Sequence, residues 1–286
     1  MRPLPIDQGT VLIIGAARGI GRELARLLAH RVRTLVLVDH QAQSLEPLRE
    51  ELLLNYPTLG VLVESCDVCD PQQVDALLAS LESQFVRVDV LVNNAAEGDQ
   101  ALYAQEGWGR VEAMLRANVW VPALLTHRLL KPMLERGRGG ILNIGSGAAQ
   151  LILPGSATFS ATQRFLDGFT EALRLEVEGQ GVTVTRVAPG PLWESGVEGA
   201  ESLAPFFHLS LERCAREALA GFERGQALVY PGLGHRWVMR LLPLLPRGLK
   251  RSLGRMALRG LRREELLLPP RQAPQTLPLA GEPSPA

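Results

Sequence analysis

The chain has 286 residues, 46% of them hydrophobic and 21% charged, with a formal net charge of zero. That size suits one large α/β domain with tails, and no uninterrupted apolar run approaches the ~18 residues of a membrane span. Three cysteines, Cys66, Cys69 and Cys214, are too few to staple a chain this long, and Met1–Thr10 lacks the apolar core of an export signal, so a cytoplasmic protein is expected.

In chain order, Val11–Ile14 reads as a buried strand that ends in glycine, and Ile20–Arg31 as a helix through Ile20, Leu24, Leu27 and Leu28. Thr34–Val38 is a second strand closed by Asp39, Ser44–Leu54 a helix, Val61–Ser65 a third strand, and Pro71–Phe85 a helix with proline in its first turn. Strand Val88–Val92, one long helix over Trp108–Glu135, strand Gly140–Ile144, helix Phe159–Glu178 and strand Val182–Val187 follow. Helix Leu211–Phe222 and a short strand at Ala227–Tyr230 end the pattern. Apolar strands alternating with helices predict a doubly wound parallel sheet of about seven strands, covered on both faces.

The first strand runs into Gly15-Ala16-Ala17-Arg18-Gly19-Ile20-Gly21. Glycines at such a turn let backbone approach a pyrophosphate, and the helix that follows offers its N-terminal N–H groups to the anion. Asp39, at the end of the next strand, supplies the acid that a dinucleotide's ribose needs. An acid there repels a 2′-phosphate, so NAD is expected over NADP, although Arg18 pulls the other way.

The spacing Gly-x-x-x-Gly-x-Gly resembles that of the short-chain dehydrogenase/reductase family, and further motifs follow in the family's order. Asp67-Val68 is similar to its adenine-contacting pair, Asn93-Asn94-Ala95-Ala96 to its Asn-Asn-Ala-Gly, and Asn118 to its helix asparagine. Ser146, after Ile141–Gly145, is similar to its catalytic serine, and Pro189-Gly190 to its Pro-Gly. The resemblance covers roughly residues 8–232. It implies a Rossmann-type NAD(P)-binding domain, an alcohol/carbonyl oxidoreductase activity on a small molecule, and self-association.

It also implies a Tyr-x-x-x-Lys pair 13 residues after Ser146, the tyrosine as general acid/base and the lysine lowering its pKa and holding the nicotinamide ribose. This chain has Phe159 and Gln163 at those positions. Phenylalanine has no titratable proton and glutamine no charge. Arg164 lies about 100° further round the helix and does not replace the lysine. Tyr103, Ser146 and His208 are the candidate substitutes, and Glu194, with Ser195 beside it, stands where the family has a nicotinamide-holding threonine. The chain therefore reads either as a divergent oxidoreductase or as a cofactor-binding pseudoenzyme acting as an NAD(H) sensor or scaffold. Cys66 and Cys69 have the spacing of a redox or zinc pair but lack further ligands, so no metal is expected.

Charge is unevenly spread. Residues 1–223 hold 19 basic and 27 acidic side chains, whereas residues 224–263 hold ten basic and none acidic. Arg247, Arg251, Arg255, Arg259 and Arg263 recur every four residues, with Leu249, Leu253, Met256, Ala257 and Gly260 on the other side, after an apolar stretch broken by Pro243 and Pro246. A basic amphipathic segment over 233–268 has two readings, a peripheral membrane contact through 236–263 or a flap over the pocket or a dimer seam. Nucleic acid is not expected, because aromatics do not interleave with the charges. Six prolines between Pro269 and Ala286 predict a tail without regular structure.

Overall fold

The computed structural model describes residues 4–94, 98, 101–152, 154–190, 192–193 and 209–267. The proline-rich tail, Ala95, Glu194, Ser195 and His208 lie outside the described residues.

Seven parallel strands form one sheet. They are β1 (Thr10–Ile14), β2 (Thr34–Asp39), β3 (Gly60–Ser65), β4 (Val90–Asn93), β5 (Gly139–Ile144), β6 (Val182–Val187) and, after a short pair β7 (Leu192–Trp193) and β8 (Leu209–Ser210), β9 (Leu228–Val229). Their order is β3-β2-β1-β4-β5-β6-β9. The chain winds outward from β1 to β3, then returns to set β4 on the other side of β1, and a parallel sheet binds ligands at such a switch point.

Because successive side chains point to opposite faces, β1 sends Val11 and Ile13 into one core layer and Leu12 and Ile14 into the other. The first layer is covered by α1 (Gly19–Leu28), α2 (Glu46–Asn55) and α7 (Leu211–Glu223). The second lies under α3 (Pro71–Ser83), α5 (Val121–Glu135) and α6 (Ala157–Glu176).

The helix expected over Trp108–Glu135 is interrupted. It runs as α4 (Trp108–Leu115), a π turn over Arg116–Trp120, and then α5. Pro122 brings no N–H to the ladder, and the amide of Val121 donates five residues back, to the carbonyl of Arg116. The displaced turn carries Asn118, which is buried.

Beyond β9 come α8 (Leu233–Leu241), a 3₁₀ turn over Leu242–Leu244, and α9 (Arg247–Leu267). Pro243 lies within this break and Pro246 immediately precedes α9.

Candidate active site

Register sets the site. Ile14 pairs with Val38 on one side and Asn93 on the other, so Gly15, Asp39 and Asn94 emerge together at one edge of the sheet. There a cleft of about 870 Å³ opens, within the range of small-molecule sites. Of the residues the sequence singles out, Gly15, Arg18, Gly19, Ile20, Asp39, Asp67, Val68, Asn94 and Pro189 line it.

Its glycines differ in what they do. Gly19 has φ +59°, and a Cβ added there would meet nothing within 4 Å, so the glycine leaves open space at the start of α1. The N–H groups of that first turn have no partner within the helix and suit a pyrophosphate. Gly21 is a packing residue instead. Its Cβ would lie 2.3 Å from the Gly15 carbonyl and 2.6 Å from the Asn94 amide nitrogen, which itself donates to the Gly15 carbonyl at 2.9 Å.

The Asp39 carboxylate accepts hydrogen bonds from the backbone N–H of Ala17 at 3.2 Å and of His40 at 2.9 Å. The His40 Nδ1 sits 2.7 Å from the same carboxylate. Arg18 is exposed at the rim and forms no ion pair among the described residues. On the wall beyond, the Asp67 carboxylate accepts from the Cys69 N–H.

Cys66 lines the cleft, but burial pushes its thiol up to about 11, and burial pushes Cys214 up to about 12. All three cysteines are free, and the described residues hold no cluster able to bind a metal. Because folding raises these two thiol pKa values, the stability they contribute is complete below pH 9 and lost as pH climbs through 11 and 12. At neutral pH a maleimide is expected to spare Cys66 and Cys214 until denaturant is added, a result that mass spectrometry reads directly.

Next to Gly145, which lines the cleft, comes Ser146, the first of the positions where the family resemblance places its proton chemistry, although Ser146, Phe159 and Asn118 do not themselves line it. The Phe159 ring lies against Gly98, with a ring carbon 3.3 Å from where a Cβ would be. Gln163 is 1% exposed, and its Oε1 accepts the Ser146 N–H at 2.8 Å. It does not line the cleft. The Ser146 Oγ caps the following 3₁₀ turn, accepting from the Ala148 N–H at 3.2 Å. Arg164 donates to the carbonyls of Ala149 and Leu151, so its charge braces that turn and does not stand in for a lysine. Asn118 donates to the Thr162 hydroxyl at 3.1 Å, tying the π turn to α6. Tyr103 is largely exposed on a separate 3₁₀ turn.

Two buried groups are absent from the sequence reading. Arg186 on β6 is 2% exposed. Its guanidinium pairs with Asp167 and donates to the carbonyls of Ser146 at 3.1 Å and Gln163 at 3.2 Å. Burial pulls its pKa below the ordinary arginine value, against the pull of Asp167. The charged residue inside the apolar strand Val182–Val187 was the available signal. His235 on α8 is wedged between two loops, 2.8 Å from where Cβ atoms on Gly147 and Gly190 would stand. Gly190 is therefore glycine to admit the ring. The His235 Nε2–H donates to the Ala188 carbonyl at 3.0 Å, and burial pulls the imidazole pKa down. No spacing in the sequence marks it.

A family model described as short chain dehydrogenase matches residues 9–200. A sulfoacetaldehyde reductase of Chromohalobacter salexigens is 37% identical over 185 residues, 63% of this chain and 71% of that protein. The NADP-dependent 3-hydroxy acid dehydrogenase YdfG of Salmonella typhimurium is 33% identical over 184 residues, again 63% and 71%. Among solved structures, a 7beta-hydroxysteroid dehydrogenase superposes with TM-score 0.78 at 20% identity, covering 89% of this chain and 98% of its own. A short-chain dehydrogenase of Sphingobium yanoikuyae in complex with NADPH gives 0.69 at 24%, covering 94% and 99%. At these identities the two structures establish the fold alone.

Proposed function

The chain belongs to the short-chain dehydrogenase family, a family of oxidoreductases that bind a nicotinamide dinucleotide, and from that premise we propose that it holds such a cofactor without the family's means of moving a proton. The observation that carries the reading is the pair Phe159 and Gln163. One offers only a ring, and the other has its amide oxygen committed to the Ser146 N–H.

The turn Gly15–Gly21 and the first turn of α1 would hold the pyrophosphate, Asp39 the adenosine ribose, Asp67 and Val68 the adenine, and Asn94, Ala95, Pro189 and Gly190 the stretch toward the nicotinamide. When bound, the cofactor supplies or accepts a hydride. This chain's residues bind and orient it, while Ser146 and Asn118 remain as polar groups beside the reacting end. With no titratable group at 159, the positioned acid is missing, which costs roughly 10²–10⁴-fold in rate. His235 does not replace it, since its one N–H is committed to Ala188. The reading favoured is a cofactor-binding member of the family with little or no carbonyl or alcohol turnover, serving as an NAD(H) sensor or scaffold. It would work in the cytoplasm, as a homo-oligomer. The rival, a slow oxidoreductase of an unidentified small molecule, is favoured by the reductases and dehydrogenases among the relatives.

NAD is the cofactor this reading prefers, although a relative and a neighbour carry NADP or NADPH in their names. The support is Asp39, whose carboxylate sits against the Ala17 N–H at the mouth of the glycine turn. A 2′-phosphate there would face a fixed negative charge. Calorimetry is expected to give at least about tenfold tighter binding of NADH than of NADPH, the repulsion of charges in close contact exceeding 1.4 kcal/mol. Asp39→Ala should narrow that gap. Equal or reversed wild-type affinities would remove the preference.

A further inference from the structure

The outward faces of the last two described helices carry exposed apolar and basic side chains that the cleft does not use. On α8, Leu233, Trp237 and Leu241 recur every four residues and stand 59%, 62% and 55% exposed, while His235 and Met239 on the opposite side anchor the helix to the body. Exposed Leu244 extends the row into the turn beyond. On α9 the contact with the body runs through Gly254, whose Cβ would lie 3.0 Å from the Ile152 carbonyl and 3.7 Å from Pro154. Leu249 and Met256 instead face outward, 46% and 64% exposed. Those two apolar side chains are thus not what holds α9 to the body.

On the same two helices Arg240, Arg247, Arg251, Arg255 and Arg259 are exposed, and none forms an ion pair among the described residues. The apolar and cationic rows share one segment with no acid from 224 to 263. No helix among the described residues is long and apolar enough to cross a membrane.

We propose that α8 and α9 seat the protein on an anionic lipid bilayer, with Trp237, Leu241, Leu244, Leu249 and Met256 entering the headgroup boundary and the arginines meeting the headgroups. An interfacial helix needs this combination of an apolar row and flanking cations. A second copy of the chain fits less well, because pairing two acid-free segments about a twofold axis opposes like charges. The seat is also local to the site. His235 ties α8 to the Gly147 and Gly190 loops, and Gly254 ties α9 to the loop that follows Ser146. The two helices therefore stand between the bilayer and the loops that carry Gly147, Gly190 and Ile152, close to Ser146. This deepens the proposed function by naming its partner, but the seating itself does not depend on cofactor binding.

Flotation with vesicles tests it, read on the protein and independent of any turnover. The full chain is expected to float with phosphatidylglycerol-containing vesicles at low salt and not with pure phosphatidylcholine. Each basic group near such a surface strengthens binding about fivefold, so Arg251→Gln, Arg255→Gln and Arg259→Gln together should weaken it roughly a hundredfold. Trp237→Ser with Leu241→Ser should abolish the part of the binding that survives high salt. Far-ultraviolet circular dichroism of each variant checks that it is folded. The proposal is overturned if the wild type stays with the soluble fraction at low salt, if both variants float as it does, or if the variants change only the sedimentation of a dimer. Loss of NADH binding with flotation intact would strike the cofactor reading and leave this one standing.

Discussion

Phe159→Tyr combined with Gln163→Lys is expected to raise carbonyl reduction from near background by up to about 10²–10⁴-fold, the range a positioned acid contributes. The phenol would stand where the Phe159 ring now lies against Gly98. Alone it should gain little, because a free phenol holds its proton with a pKa near 10 and needs a nearby cation to give it up. The second substitution is harder than its helix position suggests. Gln163 is buried, its Oε1 accepts the Ser146 N–H, and the Arg186 guanidinium reaches its backbone carbonyl. An ammonium cannot accept that N–H and would face a like charge. Lysine at 163 is therefore driven toward the cleft, at some loss of order around Ser146. Steady-state NADH oxidation over a panel of carbonyls measures the gain. A double variant that binds NADH yet shows no increase would mean that more than these two groups is missing.

The second large effect is on stability. Asp167→Ala is expected to cost about 3–5 kcal/mol, because it strips the counter-charge from a guanidinium that is only 2% exposed. Asp167 itself is one-third exposed and can be solvated when left alone, so Arg186→Met should be the milder change despite its buried position. The double variant should lie closer to wild type than Asp167→Ala does, since no uncompensated buried charge remains. Urea unfolding of the three proteins measures the cycle. Additive costs would show that the pair is not energetically coupled.

The sheet was legible because strands such as β1, β2 and β4 are near-continuous apolar runs alternating with helices, as a sheet covered on both faces requires. The order of motifs along the chain named Gly15, Asp39, Asn94 and Pro189 before any strand order was known, and the parallel sheet then brings them to one cleft. Other features depend on signals that periodicity does not carry. The π turn at Arg116–Trp120 follows from one missing N–H at Pro122, in a stretch whose hydrophobic spacing reads as unbroken helix. Residue type alone marked Gln163 as neutral, but its commitment to the Ser146 N–H is a matter of three-dimensional approach. Arg186 announced itself as a charge in an apolar strand, yet its partner Asp167 lies on another element.

The C-terminal segment divides in the same way. Four-residue spacing of arginines predicted α9, and the prolines predicted the break before it. One contact with the body did not follow from hydropathy, because it is made at Gly254, which contributes no side chain to the pattern. The helix rests on Ile152 and Pro154 and still presents Leu249 and Met256 outward.

The central claim is a cofactor cleft intact beside a proton pathway that is gone, and one mixing experiment addresses both halves. Protein saturated with NADH is mixed with a panel of carbonyls while nicotinamide fluorescence and the reduced-nicotinamide absorbance band are followed together. The account predicts fluorescence that reports saturable, Asp39-dependent binding and absorbance that stays flat. Rapid NADH oxidation that survives Ser146→Ala, or no NADH binding at all, would contradict it.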